Sequence, residues 1–215
     1  MTSNESQSAR AYRQLEEDIV TLKLKPGEAI TEAYLSERLQ MGRTPIREAL
    51  QRLSWEGLIT IRPRLGILVA DMNPADFIKV LEARHALERL IAGSAARLAS
   101  KEERKALEIC AEQMREAASV PDVKEYLRLD KAFDEVVAQA ACNPFATKAL
   151  APLQTQSRRF WYRHFGEADL NPATWSHLEV MQAIAAGDED AAMEHMENLM
   201  LYLRRQATTL LGGSR

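Results

Sequence analysis

The chain has 215 residues, with 28 Lys and Arg against 31 Asp and Glu, a net charge of −3 and 46% hydrophobic residues. That balance suits one large or two small globular domains and excludes a long disordered tail. Aromatic residues make up only 6%, with 9 Gly and 8 Pro, so a turn-rich β-sandwich is excluded too, while runs of Ala, Leu, Glu and Arg favour helices.

From Tyr12 the apolar residues Leu15, Ile19 and Leu22 recur at helical spacing until Lys25-Pro26-Gly27 stops the pattern. Thr31 can cap a second helix carrying Leu35 and Leu39, which Gly42 breaks. Thr44-Pro45 then suggests a third helix, with Thr44 at N-cap, Pro45 at N1, and Ile46, Ala49, Leu50 and Leu53 as its buried stripe. After Glu56-Gly57 come two β-prone runs, Leu58 to Ile61 and Gly66 to Ala70, joined by Arg62-Pro63-Arg64-Leu65. Three helices followed by a β-hairpin predict a winged helix-turn-helix over residues 9–72.

Asp71-Met72-Asn73-Pro74 separates that domain from residues 73–211, which lack strand signals and alternate helical stretches with capping residues. Helices are predicted at Ala75 to Leu98, Lys101 to Ala118, Asp122 to Ala141, Pro144 to Phe165, Ala173 to Ala186 and Glu189 to Leu210. The breaks between them are short, so consecutive helices should pack antiparallel around one core. The fold class is therefore mainly α: an N-terminal winged helix-turn-helix with a small β-hairpin, then an antiparallel all-α bundle.

No apolar stretch approaches the roughly 18 residues of a membrane span, and residues 1–10 lack a hydrophobic signal core. Cys110 and Cys142 lie far apart in no metal-ligand spacing, as in a reducing compartment. The reading is a cytoplasmic protein with no membrane partner.

The overall negative charge hides a basic stretch. Between Arg38 and Arg64 stand Arg38, Arg43, Arg47, Arg52, Arg62 and Arg64 against only Glu48 and Glu56. A helix N-terminus offers free N–H groups to a phosphate, and arginines near it can add phosphate contacts or fork onto guanine O6 and N7. With Ile46, Leu50 and Leu53 facing the core, Arg43, Thr44, Arg47 and Gln51 would face a major groove, with Arg62 and Arg64 on the wing. A solvated amphipathic face is the competing reading of the charge alone.

The ordered motifs Leu24-Lys25-Pro26-Gly27-Glu28, Gly42 to Leu50, Leu53, Glu56-Gly57-Leu58 and Arg64-Leu65-Gly66 resemble the GntR family of bacterial transcription regulators across Ala9 to Ala70. The resemblance implies that Arg43, Thr44 and Arg47 belong to the recognition helix and that Gly66 shapes the wing tip. Gly42 departs from it, standing where the family often has Ser. Paired half-sites on a palindromic operator imply a homodimer.

Glu82 to Glu88, Asp130 to Phe133, Asn143-Pro144, His177 and Ala183 to Asp188 resemble, in that order, the FCD ligand-binding domain of the FadR subfamily. That resemblance implies a small carboxylate effector, held in many such domains through a divalent metal on an Asp and three His. Asp130 and His177 keep two of those positions, while Asp134 and Leu199 replace the other two, and His195 lies one turn before Leu199. Two readings stay open: a harder cation held by Asp130, Asp134 and His177, or no metal, in which case the two facing carboxylates repel and one takes up a proton or a cationic ligand group. Arg84 either pairs with an effector carboxylate or forms an i,i+4 salt bridge with Glu88. The candidate effector residues are thus Arg84, Asp130, Asp134, His177 and His195.

Two rival functions have weaker support. A di-iron enzyme needs two ExxH motifs, and only Glu82-Ala83-Arg84-His85 qualifies. A constitutive dimeric DNA binder would fill its bundle with apolar side chains rather than with three ionisable ones. The sequence therefore predicts a DNA-binding regulator, acting as a repressor and released by a small organic acid, and not an enzyme.

Overall fold

The computed structural model describes residues 5–62, 66–118, 122–165 and 170–212. The chain divides into two compact units at Asn73 and Pro74.

In the first unit, α1 (Gln7–Val20) is capped by Ser6, whose Oγ accepts the Ala9 N–H at 3.1 Å. It buries Ala11, Tyr12, Leu15 and Ile19 on one face. After β1 (Ala29–Ile30), Thr31 caps α2 (Glu32–Leu39) by accepting the Tyr34 N–H at 3.2 Å, and Gln40 ends it in the left-handed region at φ 52°. α3 (Arg43–Trp55) then packs on α1 and α2, followed by β2 (Ile59–Arg62) and β3 (Gly66–Val69). Leu15, Ile19, Leu35, Ile46, Leu50, Leu53 and Leu58 form one core under the sheet.

Two details differ from the sequence expectation. The hairpin gains a third strand: β1 pairs antiparallel with β3, Ile30 opposite Ile67, giving the order β1-β3-β2. A two-residue strand is too short to leave a period-2 pattern. The start of α3 also shifts, because Gly42 is the N-cap and Arg43 the first helical residue, with Thr44 and Pro45 following inside the first turn. Proline is tolerated there because first-turn N–H groups have no intrahelical acceptor.

The second unit is all helical among the described residues: α4 (Pro74–Leu98), α5 (Lys101–Ala117), α6 (Val123–Ala140), α7 (Pro144–His164), α8 (Leu170–Ala186) and α9 (Glu189–Gly212). Local capping explains the boundaries. Ser100 and Glu103 form a capping box on α5, the Asp122 carboxylate accepts the Lys124 and Glu125 N–H groups on α6, and Asn143 caps α7 ahead of Pro144. α8 begins three residues before its expected start at Ala173, with Pro172 inside its first turn as Pro45 is in α3.

The bundle is not stacked in simple chain order, since α4 packs mainly on α9 and α7, and α5 on α8 and α6. Gly93 makes the α4–α9 approach possible: a Cβ there would lie 2.9 Å from Met193 Cγ. Arg104 ties two helix ends together. Its guanidinium donates to the carbonyls of Ala96 and Ala99 at the end of α4 and to those of Ile184 and Ala185 at the end of α8, at 2.8–3.1 Å. Gly187, at φ 78°, leaves room for it, since a Cβ would stand 2.7 Å from Arg104 Nη1. No described helix is long and apolar enough to cross a membrane.

Candidate functional site

Two groups of side chains stand out, one in each unit. On α3 the apolar stripe of Ile46, Ala49, Leu50 and Leu53 is buried, which turns Arg43, Thr44, Arg47 and Gln51 to the exposed side. No side chain caps this helix. Its first-turn N–H groups on Arg43 and Thr44 therefore lack an internal acceptor and sit at the positive end of the helix dipole, a geometry suited to an anion. Arg47 is 63% exposed, and its Nε donates to Glu32 Oε2 at 2.8 Å.

The other predicted DNA residues divide. Arg62 is exposed at the end of β2, opposite Gly66. Gly66 has φ 90°, and a Cβ there would stand 3.1 Å from the Ile30 carbonyl oxygen. Its role is thus to let the hairpin approach β1. Arg64 lies outside the described residues. Arg38 is committed within the protein: it donates to Asp18 Oδ2 at 2.7 Å and to the Tyr34 hydroxyl at 3.1 Å, and the Asp18 side chain is only 1% exposed. Arg38 therefore fastens α2 to α1 by neutralising a buried carboxylate. Arg52 is likewise engaged, bonded to Glu56 and lying 3.5 Å above the Tyr12 ring centre.

In the helical unit a buried polar cluster joins four helices. Arg84 on α4 donates twice to Glu88 Oε1, at 2.6 and 3.0 Å, and Gln154 on α7 reaches the same oxygen at 3.2 Å. The Arg158 Nη1 of α7 lies 2.7 Å from Asp134 Oδ2 and 3.4 Å from Asp130 Oδ2, both on α6. Beyond Asp130, His177 Nε2 of α8 meets Asp130 Oδ1 at 2.9 Å, while His177 Nδ1 lies 3.2 Å from the Tyr126 hydroxyl and 2.7 Å from the Ala173 carbonyl oxygen.

This network splits the two carboxylates. Burial resists ionisation of Asp130, but the His177 hydrogen bond and charge, helped by Arg158 and Arg84, outweigh it and hold Asp130 low, at about 2. Burial and the adjacent Asp130 charge push Asp134 up to about 8. For His177 burial opposes the charged ring, yet the Asp130 partnership wins and raises its pKa. The pair behaves as neighbouring carboxylates do when only one can ionise freely.

Asp130, Asp134 and His177 are thus brought together as the sequence suggested, but they do not fit a divalent metal. Among the described residues no group of three or more His, Cys, Asp and Glu side chains is arranged to hold one. The physical reason is Arg158: its permanent guanidinium stands between the two carboxylates, where a metal ion would be placed.

His195 also differs from expectation. It faces α8, with Nδ1 3.7 Å from Glu179 Oε2, rather than taking part in the bonds around Asp130. Arg84 makes the Glu88 pair foreseen as its alternative role, but buried, at 8% and 2% side-chain exposure. Sequence reasoning missed Arg158 as the central cation. It lies in an Arg158-Arg159-Phe160-Trp161 run whose inward residues only the helix rotation decides.

Two further groups lie near this region. On α7 the inward stripe runs from Gln154 through Arg158 to Trp161, and on α8 Thr174 precedes His177 by three residues. Trp161 Nε1 and Thr174 Oγ1 are buried and have no hydrogen-bond partner among the described residues.

The known proteins that match carry the same two parts. The model of the gntR family of bacterial regulatory proteins matches residues 7–69, and that of the FCD domain residues 79–201. The HTH-type transcriptional repressor RspR of Escherichia coli (strain K12) is 29% identical over 201 residues, spanning 90% of this chain and 87% of that protein. A probable D-xylose utilization operon transcriptional repressor of Paenarthrobacter nicotinovorans is 28% identical over 181 residues, 83% of this chain and 78% of that protein. Among solved structures, E. coli McbR/YncC shares the fold with a TM-score of 0.83 at 18% identity, covering 96% of this chain and 99% of that one. Neither matched domain is an enzyme. The chain belongs to the gntR family of bacterial regulatory proteins and carries an FCD domain behind its DNA-binding unit.

Proposed function

We propose that the chain is a cytoplasmic, homodimeric transcription repressor of the FadR subfamily, whose affinity for a palindromic operator is controlled by a small organic anion bound in its helical unit. Residues 9–72 read the DNA, and residues 73–211 bind the effector and dimerise. The carrying observation is the exposed row of Arg43, Thr44, Arg47 and Gln51 on a helix whose opposite side is locked into the core. In this reading Arg43 and Arg47 provide guanine and phosphate contacts, and the uncapped N-terminus of α3 adds a phosphate site. The names of RspR and the D-xylose relative support repression as the sign of control.

Effector control is supported by the polar interior of the bundle. An assembly serving only dimerisation gains nothing from burying Arg84, Glu88, Asp130, Asp134, Arg158 and His177, each of which costs desolvation. The unpartnered Trp161 N–H and Thr174 hydroxyl give a small acidic metabolite additional groups to satisfy. Recognition by fixed guanidinium and N–H donors, without a metal, follows from the place that Arg158 occupies. The effector acts only through unequal affinity for two arrangements of the dimer.

The test is selection of duplexes from a random pool by the full-length protein, followed by binding assays with Arg47→Ala. A symmetric consensus whose tight binding disappears in Arg47→Ala, with dimerisation intact, is the expected result. No enrichment of any sequence, or an unchanged affinity in Arg47→Ala at physiological salt, would refute the assignment.

A further inference from the structure

Arg43, Arg47 and Arg62 are the exposed arginines of the proposed reading face that the structure describes, and they are not held alike. The side chains of Arg43 and Arg62 have no hydrogen bond or ion pair among the described residues, whereas that of Arg47 is held by Glu32. Glu32 is the first residue of α2, directly after the Thr31 cap, so its carboxylate is favoured there by the helix dipole. It reaches from α2 to the exposed side of α3 and takes the Arg47 Nε–H at 2.8 Å.

The position of this carboxylate is informative. An acid on a surface that meets phosphates reduces general attraction, so a face built only for charge neutralisation would not carry one. Nor does the pair serve stability, because exposed ion pairs contribute little. What it changes is the freedom of Arg47. A guanidinium bound through Nε keeps its Nη1 and Nη2 donors on the far side of a planar fork, oriented together, which suits the O6 and N7 acceptors of guanine.

We propose that Glu32 is a positioning residue for base recognition: by holding the Nε of Arg47, it presents the two Nη groups to a guanine edge and so sets the sequence preference of the regulator. This inference rests on the proposed role of Arg47 in reading DNA. Glu32 contributes to discrimination between base pairs and not to overall affinity, and removing it frees Arg47 to drift to the phosphates.

The experiment uses the full chain and the duplex selected by the wild-type protein, together with its single-base-pair variants and random-sequence DNA. Wild type, Glu32→Ala, Glu32→Gln and Arg47→Ala are compared, after melting curves confirm that each is folded. Glu32→Ala is expected to lose about tenfold of the preference at one G·C pair in each half-site, while its affinity for random DNA holds or rises. Glu32→Gln, which keeps an acceptor for the Nε–H, is expected to retain more of that preference. Unchanged discrimination in Glu32→Ala, or an equal loss of affinity on every sequence, overturns the proposal. The two levels separate cleanly. If Arg47→Ala abolishes the preference but Glu32→Ala leaves it intact, positioning alone fails; if Arg47→Ala also leaves it intact, the reading of α3 fails.

Discussion

Replacing Arg158 by Ala removes the cation on which the buried cluster turns. Its Nη1 lies 2.7 Å from Asp134 and 3.4 Å from Asp130, its Nη2 lies 3.2 Å from Thr155 Oγ1, and its side chain is 8% exposed. Breaking a buried ion pair by deleting one partner costs about 3–5 kcal/mol. For a chain of this size each kcal/mol lowers Tm by about 2–4 °C, so a drop of roughly 6–20 °C is expected. Arg158→Lys keeps the charge without the planar fork and should lose less than half as much.

The pH dependence has a definite sign. Asp134 already releases its proton late in the folded chain, at about 8, against about 3.9 when unfolded. A raised folded pKa gives stability that is present at low pH and lost as pH rises through the folded value. Without Arg158 that value climbs further, so the deficit of Arg158→Ala should widen between pH 7 and pH 9. Urea denaturation across this range measures it. Added Mn2+ or Zn2+ should stabilise the variant, where two carboxylates then face an open position, and leave wild type unchanged. A deficit under about 1 kcal/mol, or one bound metal per wild-type chain held at Asp130 and Asp134, would refute the reasoning.

Other parts of the structure yield further expectations. Arg104→Ala removes four hydrogen bonds to carbonyl groups at the ends of α4 and α8, of which only that of Ile184 keeps another donor among the described residues, the Gly187 N–H. It should cost about 3 kcal/mol in urea titrations, given the strength of charge-assisted hydrogen bonds, and a loss below half of one would contradict the double-cap role. Gly66→Ala combines φ 90° with a 3.1 Å approach to the Ile30 oxygen. A destabilisation of about 1–3 kcal/mol is expected by thermal melting, and a neutral effect would show that the hairpin adjusts freely. His177 should titrate above the ordinary value near 6.5 when its ring signals are followed by NMR, because Asp130 favours the charged ring. The stability it lends is full below that ordinary value and disappears as pH rises through the folded one.

Much of the first unit was legible because its apolar residues recur at helical spacing. Leu15 and Ile19 on α1, and Ile46, Leu50 and Leu53 on α3, all point inward as that spacing requires. What escaped has identifiable causes. β1 is two residues long, so its pairing with β3 is fixed by tertiary register and not by pattern. The starts of α3 and α8 were misplaced because Pro45 and Pro172 are accepted inside a first turn, whose N–H groups have no intrahelical acceptor, as well as at its first position.

Charge was harder to interpret than apolarity. Arg38 and Arg47 look alike in sequence, and only the buried Asp18 carboxylate separates the structural arginine from the exposed one. The spacing of Asp130 and Asp134 did place both carboxylates on one side of α6. It could not reveal their shared cation, because Arg158 arrives from another helix, 24 and 28 residues along the chain.

The central claim is that a ligand in the helical unit and DNA on α3 are thermodynamically coupled. The most direct measurement is the affinity of the full-length protein for its selected duplex by fluorescence anisotropy, with and without an organic acid that raises its melting temperature in the absence of metal. The account predicts at least a fivefold weakening of DNA binding, and, by reciprocity, an equal weakening of acid binding when DNA is present. Affinities that are independent of each other would contradict it.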